Sequence, residues 1–185
     1  MAVTTQILQS YRRPRAVMRR LVAANRGGAR PEARGFVYLL MGLFIIFISQ
    51  LPDLMGEGIA QVDLSEGMTG EDGPPPTDAR MAITLFAWLF VWPLILYVLG
   101  GLSHLVARGL GGKGQGVDAR MALFWAVLAV SPLFLLRGMA SVSQSVELVM
   151  VMNYAIALAF FWIWLAALWE AEHPVPHDHA PEENA

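Results

Sequence analysis

The sequence contains no cysteine and only 15% charged residues. Without cysteine there is no disulfide framework, no thiolate nucleophile and no thiolate-held zinc or iron–sulfur cluster. A water-soluble domain normally carries roughly 25% charge, so the shortage of charge is the stronger exclusion. The catalytic signatures G-x-S-x-G and H-E-x-x-H are missing too, as is any aspartate pair inside an apolar stretch. No pattern points to an enzyme. No resident cofactor, metal or nucleic-acid partner is expected.

What is present is apolar. Hydrophobic residues make up 56% of the 185, with a mean hydropathy of +0.49, and they fall into four uncharged stretches. These run over about 36–51, 81–107, 121–136 and 146–169. A helix needs about 20 apolar residues to cross a hydrocarbon core of roughly 30 Å, and it pairs its own backbone groups while doing so. The stretches are apolar all the way round, which sets them apart from the amphipathic helices of a soluble bundle. The expected fold is all-α, a polytopic transmembrane bundle of about four spanning helices over 35–170.

Charge is sorted between the stretches. Residues 1–34 hold eight arginines, Arg12, Arg13, Arg15, Arg19, Arg20, Arg26, Arg30 and Arg34, against one acid, Glu32. The connection 52–80 holds seven acids, from Asp53 to Asp78, against Arg80 alone. The next carries Arg108, Lys113 and Arg120, and the last only Arg137. Basic segments stay on the cytoplasmic side, so both termini are expected there. The first stretch is followed by Gln50-Leu51-Pro52-Asp53 and not by a small-residue cleavage site, so it reads as a retained anchor and not as a signal peptide. An arginine-rich start is shared with mitochondrial transit peptides, which is the competing reading.

Residues 5–23 mix Ile7, Leu8, Tyr11, Val17, Met18 and Leu21 with clustered arginines. This predicts a surface helix, broken near Pro14, on the anionic inner leaflet, with Arg19 and Arg20 among its lipid or partner contacts. The connection 52–80, with Pro74-Pro75-Pro76, is expected to be a solvated loop, and 171–185 a disordered tail. His173, His177, Asp178 and His179 in that tail lack the scaffold of a fixed metal site.

Asp78-Ala79-Arg80-Met81-Ala82 recurs as Asp118-Ala119-Arg120-Met121-Ala122, each at the start of a span. A duplication with inverted topology and a local preference compete here: aspartate caps the helix and arginine reaches to headgroups. Pro93 and Pro132 should kink their spans. Gly100, Gly101 and Ser103 offer a face where another helix can approach. Gly109-Leu110-Gly111-Gly112-Lys113-Gly114 satisfies G-x-G-x-x-G, but no strand precedes it, so it reads as a flexible cytoplasmic turn and not a nucleotide loop. Arg108, Lys113 and Arg120 are candidate contacts for lipid phosphates or partner proteins. His104 reads as interfacial, since no second histidine or carboxylate lies at its depth on its own helix. Ser141 and Gln144 suit a capping box for the fourth span, with Glu147 placed to pair with Arg137.

The segment from Leu99 to Met139, with Gly100, Gly101, His104, Leu110, Gly111, Gly112, Lys113, Gly114 and Pro132, resembles the bacterial branch of the Yip1-domain family. The resemblance implies a multi-pass protein of the cell inner (plasma) membrane. The family usually has five spans where four are counted here, and the Asp-Leu-Tyr-Gly-Pro motif of its eukaryotic members is absent. The Rab GTPase association of those members is therefore not carried over. The expected function is non-catalytic: a scaffold or interaction protein organising membrane lipids, other membrane proteins or copies of itself. The alternative is a small transporter or channel whose path is framed by Pro93 and Pro132.

Overall fold

The computed structural model describes residues 3–26, 30–65, 77–142 and 145–173; over 56–65 and at Arg26, Pro31, Thr77, Asp78 and Arg80 it describes backbone alone. The element order is α1 (Val3–Arg12), α2 (Pro14–Arg26), α3 (Pro31–Ser65), α4 (Thr77–Phe86), a π-helical turn (Ala87–Val91), α5 (Trp92–Gly109), α6 (Gly116–Val142) and α7 (Val146–Glu172). There is no strand among the described residues. Four helical stretches are long and apolar enough to cross a membrane: Glu32–Met55, Met81–Gly109, Gly116–Val142 and Val146–Glu172. The four-span bundle read from the sequence is therefore the fold.

The expected loop 52–80 is shorter than its composition suggested, because α3 continues through Pro52 to Ser65. The run Pro74-Pro75-Pro76 lies outside the described residues.

The helices are not equivalent. In its most apolar stretch α6 is 67% buried, against 11% for α7 and for the span ending in α5. Every residue from Met121 to Ser131 is buried. The other three spans and the two N-terminal helices pack around this central rod, and the outer spans present Leu94, Val98, Leu158 and Phe161 outward. In lipid an exposed apolar face costs nothing, so the packing of α6 must come from close approach. The small residues on α3 and α6 supply it. A Cβ on Gly42 would lie 3.0 Å from Leu128 Cα, one on Gly35 3.3 Å from Phe124, and one on Gly138 would collide with the Ser49 carbonyl.

Each mid-span proline is accommodated differently. Pro132 has no N–H for the carbonyl four residues back, Leu128 O. The Ser131 hydroxyl donates to that oxygen at 2.9 Å. Pro93 is preceded by the π turn, where the Trp92 N–H reaches five residues back to Ala87 O. A wider turn keeps the proline ring clear of the backbone behind it. Ser131→Ala is expected to lower stability by about 1 kcal/mol, measured by denaturant titration of the purified chain; an unchanged midpoint would show that the carbonyl needs no donor.

The N-terminal helices break at Arg13, before Pro14, as the sequence suggested, but their apolar side is not turned to lipid. Val17, Met18, Leu21 and Val22 are buried against α6 and α7. Trp125 donates its indole N–H to Ser10 Oγ at 2.9 Å, and the Tyr11 hydroxyl donates to Ala129 O at 2.7 Å. Burial pushes the Tyr11 phenol above its ordinary value, which keeps it a donor. The patterning that marks a membrane-surface helix marks equally a helix that packs along the side of a bundle.

Candidate functional site

The end of the bundle where α3 and α6 begin and α5 and α7 finish gathers the residues singled out in the sequence. It is built on a loop. After Gly109 the chain turns through Leu110 into Gly111, whose φ of +95° suits only glycine without strain. Gly112 N–H donates to Ala107 O at 2.9 Å and Gly111 N–H to Arg108 O at 3.1 Å. This pair of bonds is the Schellman closure of a helix. The expected flexible turn is a fully bonded cap.

The loop then lies on the last turn of α7. Lys113 N–H donates to Glu172 O at 2.9 Å, and Gly114 N–H donates to Glu172 Oε2 at 3.1 Å. The other carboxylate oxygen, Oε1, meets His104 Nδ1 at 2.7 Å. The side chain of Glu172 is 2% exposed and that of His104 15%. Glycine is required for this approach. A Cβ on Gly112 would stand 2.7 Å from Glu172 Oε2, one on Gly114 would strike the Ala171 carbonyl, and one on Gly116 would sit 3.2 Å from the His104 ring.

His104 is therefore not a lone interfacial histidine. Its carboxylate comes from another helix, 68 residues along the chain. The sequence reading placed Glu172 in a disordered tail starting at 171, whereas α7 runs to Glu172 and only 174–185, with His177, Asp178 and His179, lie outside the described residues. One signal was available. An acid in the last turn of a helix faces the negative end of the helix dipole, so Glu172 was locally disfavoured and needed a partner.

Arg120, a candidate lipid or partner contact, is also tied within the chain. Its guanidinium donates to Glu32 Oε1 at 3.1 Å and to Tyr97 Oη at 2.7 Å, and lies 4.8 Å from the Tyr97 ring centre. It ties α6 to α3 and α5, and it packs so tightly that a Cβ on Gly100 would sit 2.8 Å from its Cγ. Among the described residues Gly101 has no such neighbour within 4 Å, so within the chain it is Gly100 that meets another helix, with buried Ser103 bonded back to Leu99 O. Arg19 pairs with Glu170 at 2.8 Å; that bond and charge raise the guanidinium further above its usual range. Arg108 and Lys113 are exposed, and so are Arg12, Arg13, Arg15 and Arg20.

The two copies of the five-residue repeat sit in different surroundings. Asp118, Ala119, Met121 and Ala122 are buried, while Ala82 is exposed and Met81 half-buried. Helix α6 starts at Gly116, so Asp118 lies inside its first turn and is not the cap. At the far end Arg137 binds Asp53 at 3.1 Å and Asn153 at 2.8 Å, not Glu147. The cap of α7 is Ser145, accepting from Leu148 N–H at 3.4 Å, while Ser141 bonds back within α6 and Gln144 lies outside the described residues.

Chemically, the His104–Glu172 pair is a buried tie with one backbone donor. Among the described residues no group of three or more His, Cys, Asp or Glu side chains is placed to hold a metal ion. Comparison with protein-family models, with curated proteins and with solved structures finds no match, and nothing in them identifies the Yip1-domain family.

Proposed function

We propose that the chain is a non-catalytic protein of the cell inner membrane that organises the lipids of its cytoplasmic leaflet, its basic end facing the cytoplasm. One observation carries this reading. Tyr11 binds Ala129, which lies thirteen residues from either end of α6, about 20 Å of helix rise. Helix α1 therefore docks at half the depth of the central span, with Arg12, Arg13 and Arg15 exposed beside it.

An arginine at mid-bilayer costs several kcal/mol unless headgroups and water come to it, thinning the bilayer locally. The crease between α1 and α2, about 660 Å³ and walled by Gln9, Arg12, Arg13 and Arg20, offers room for them. Anionic headgroups are drawn down along this ledge, and the leaflet around the protein is thinned and enriched in acidic lipid. The transporter alternative calls for a polar path through the bundle; the buried Met121–Val130 stretch, apolar throughout, favours the lipid reading.

The absence of native cysteine makes single-cysteine labelling clean. In vesicles containing phosphatidylglycerol, Leu8→Cys is expected to react with a membrane-impermeant maleimide from the side that labels Lys113→Cys, and Ser145→Cys from the other. Leu158→Cys should be protected. Replacing Arg12, Arg13 and Arg15 by leucine should protect Leu8→Cys as well and reduce phosphatidylglycerol co-purification. Protection of Leu8→Cys in the otherwise native chain would end the proposal.

A further inference from the structure

Helices α5 and α7 both lean on α6 and leave between them a cavity of about 490 Å³. Its walls are apolar: Leu99, Leu102 and Val106 on one side, Leu165, Leu168 and Trp169 on the other. Leu102, Val106, Leu165 and Trp169 are exposed, so the cavity opens sideways, where lipid lies. We infer that it is a binding groove for one acyl chain of a glycerophospholipid in the leaflet at the basic end, with the phosphate held at the glycine loop.

Length selects this occupant. The groove runs from Leu99 to Leu110 along one wall and from Trp164 to His173 along the other. Eleven and nine residues of helix rise are roughly 16 and 14 Å. One leaflet's share of a hydrocarbon core of roughly 30 Å is about 15 Å. A spanning helix of a second copy would need a groove through both leaflets, whereas a lipid tail needs one.

Charge selects the rest of the molecule. The groove ends at Glu172 and His173, at the basic end of the bundle. Both Glu172 oxygens are already bonded, to His104 and to the Gly114 N–H. The exposed cations there are Arg108, next to the wall residue Ala107, and Lys113, whose own N–H is anchored on Glu172. A phosphate at the mouth meets these two, and the Schellman cap fixes the loop that carries Lys113. The His104–Glu172 tie thereby acquires a use: it holds the mouth at a set distance from α7. The inference rests on the four spans and not on the arginine ledge, so either can fail without the other.

The test uses the full chain in vesicles containing trace phosphatidylglycerol with a photoactivatable diazirine in one acyl chain. After irradiation, adducts are mapped by peptide mass spectrometry. Peptides covering 99–110 and 164–173 should be labelled several-fold more than the equally exposed surroundings of Leu94 and Leu158. Filling the groove with Ala107→Trp, or from the opposite wall with Leu168→Trp, should bring labelling to that background, while Ala157→Trp on the outer face should not. Arg108→Gln with Lys113→Gln should lower it for the anionic lipid. Uniform labelling of the native chain would overturn the inference, and this outcome does not depend on any variant folding. Efficient Val106→Cys disulfides between copies would also overturn it, assigning the groove to a second copy.

Discussion

Gly138→Val should destabilise the protein by about 3 kcal/mol, the upper end of what overpacking costs. The wall it meets is the Ser49 carbonyl, backbone of α3, which has no rotamer to yield. Relief would require α3 and α6 to move apart, and that separation would also loosen Gly42 from Leu128 and Gly35 from Phe124. Since lipid competes with protein for every apolar face, loss of close approach is not repaid by hydrophobic burial. Gly101→Val is the control: nothing lies within 4 Å of its Cβ position, so the change should stay within about 0.5 kcal/mol. Both are read from denaturant titration of helical signal in detergent. Equal effects at 101 and 138 would refute the α3–α6 packing.

Glu172→Ala should cost about 1–3 kcal/mol, because it leaves the half-buried His104 ring and the Gly114 N–H without their hydrogen-bond partner. The effect should not add to that of His104→Ala. Residues in contact typically couple by about 0.5–3 kcal/mol in a double-mutant cycle, and this pair, 2.7 Å apart and nearly buried, belongs near the upper end. Glu172→Gln keeps an acceptor for Gly114 and should recover part of the loss. A cycle with no coupling would mean that the two groups do not meet in the folded protein, and the order of the glycine loop would need another cause.

Much of the fold could be read from local composition. Four uncharged stretches are four spans because a bilayer sets a length and forbids unpaired backbone, and both constraints are local. The ends were less legible. Helix α3 runs on to Ser65, well past its apolar stretch, and α7 runs past Trp169, because helices extend into water wherever nothing stops them. The site was half legible. Gly111, Gly112 and His104 stood out by type and spacing, yet the loop's order depends on Glu172, which arrives from another helix. The partners of Arg120, Glu32 and Tyr97, were hidden for the same reason: they lie 88 and 23 residues away along the chain.

The α1–α2 segment shows the division most plainly. Its apolar stripe and arginines specify an amphipathic helix, but a stripe along one face does not say whether lipid or protein covers it. Only Ser10 and Tyr11 finding Trp125 and Ala129 decide that protein does. Sequence alone determined the number of spans, their helical form and the sorting of charge between them, since these follow from transferring each segment between water and hydrocarbon. Tertiary structure decided which span is central, which ions are tied down and where the lateral groove opens. Those outcomes depend on shape matching between distant segments, for which solvent preference supplies no instruction.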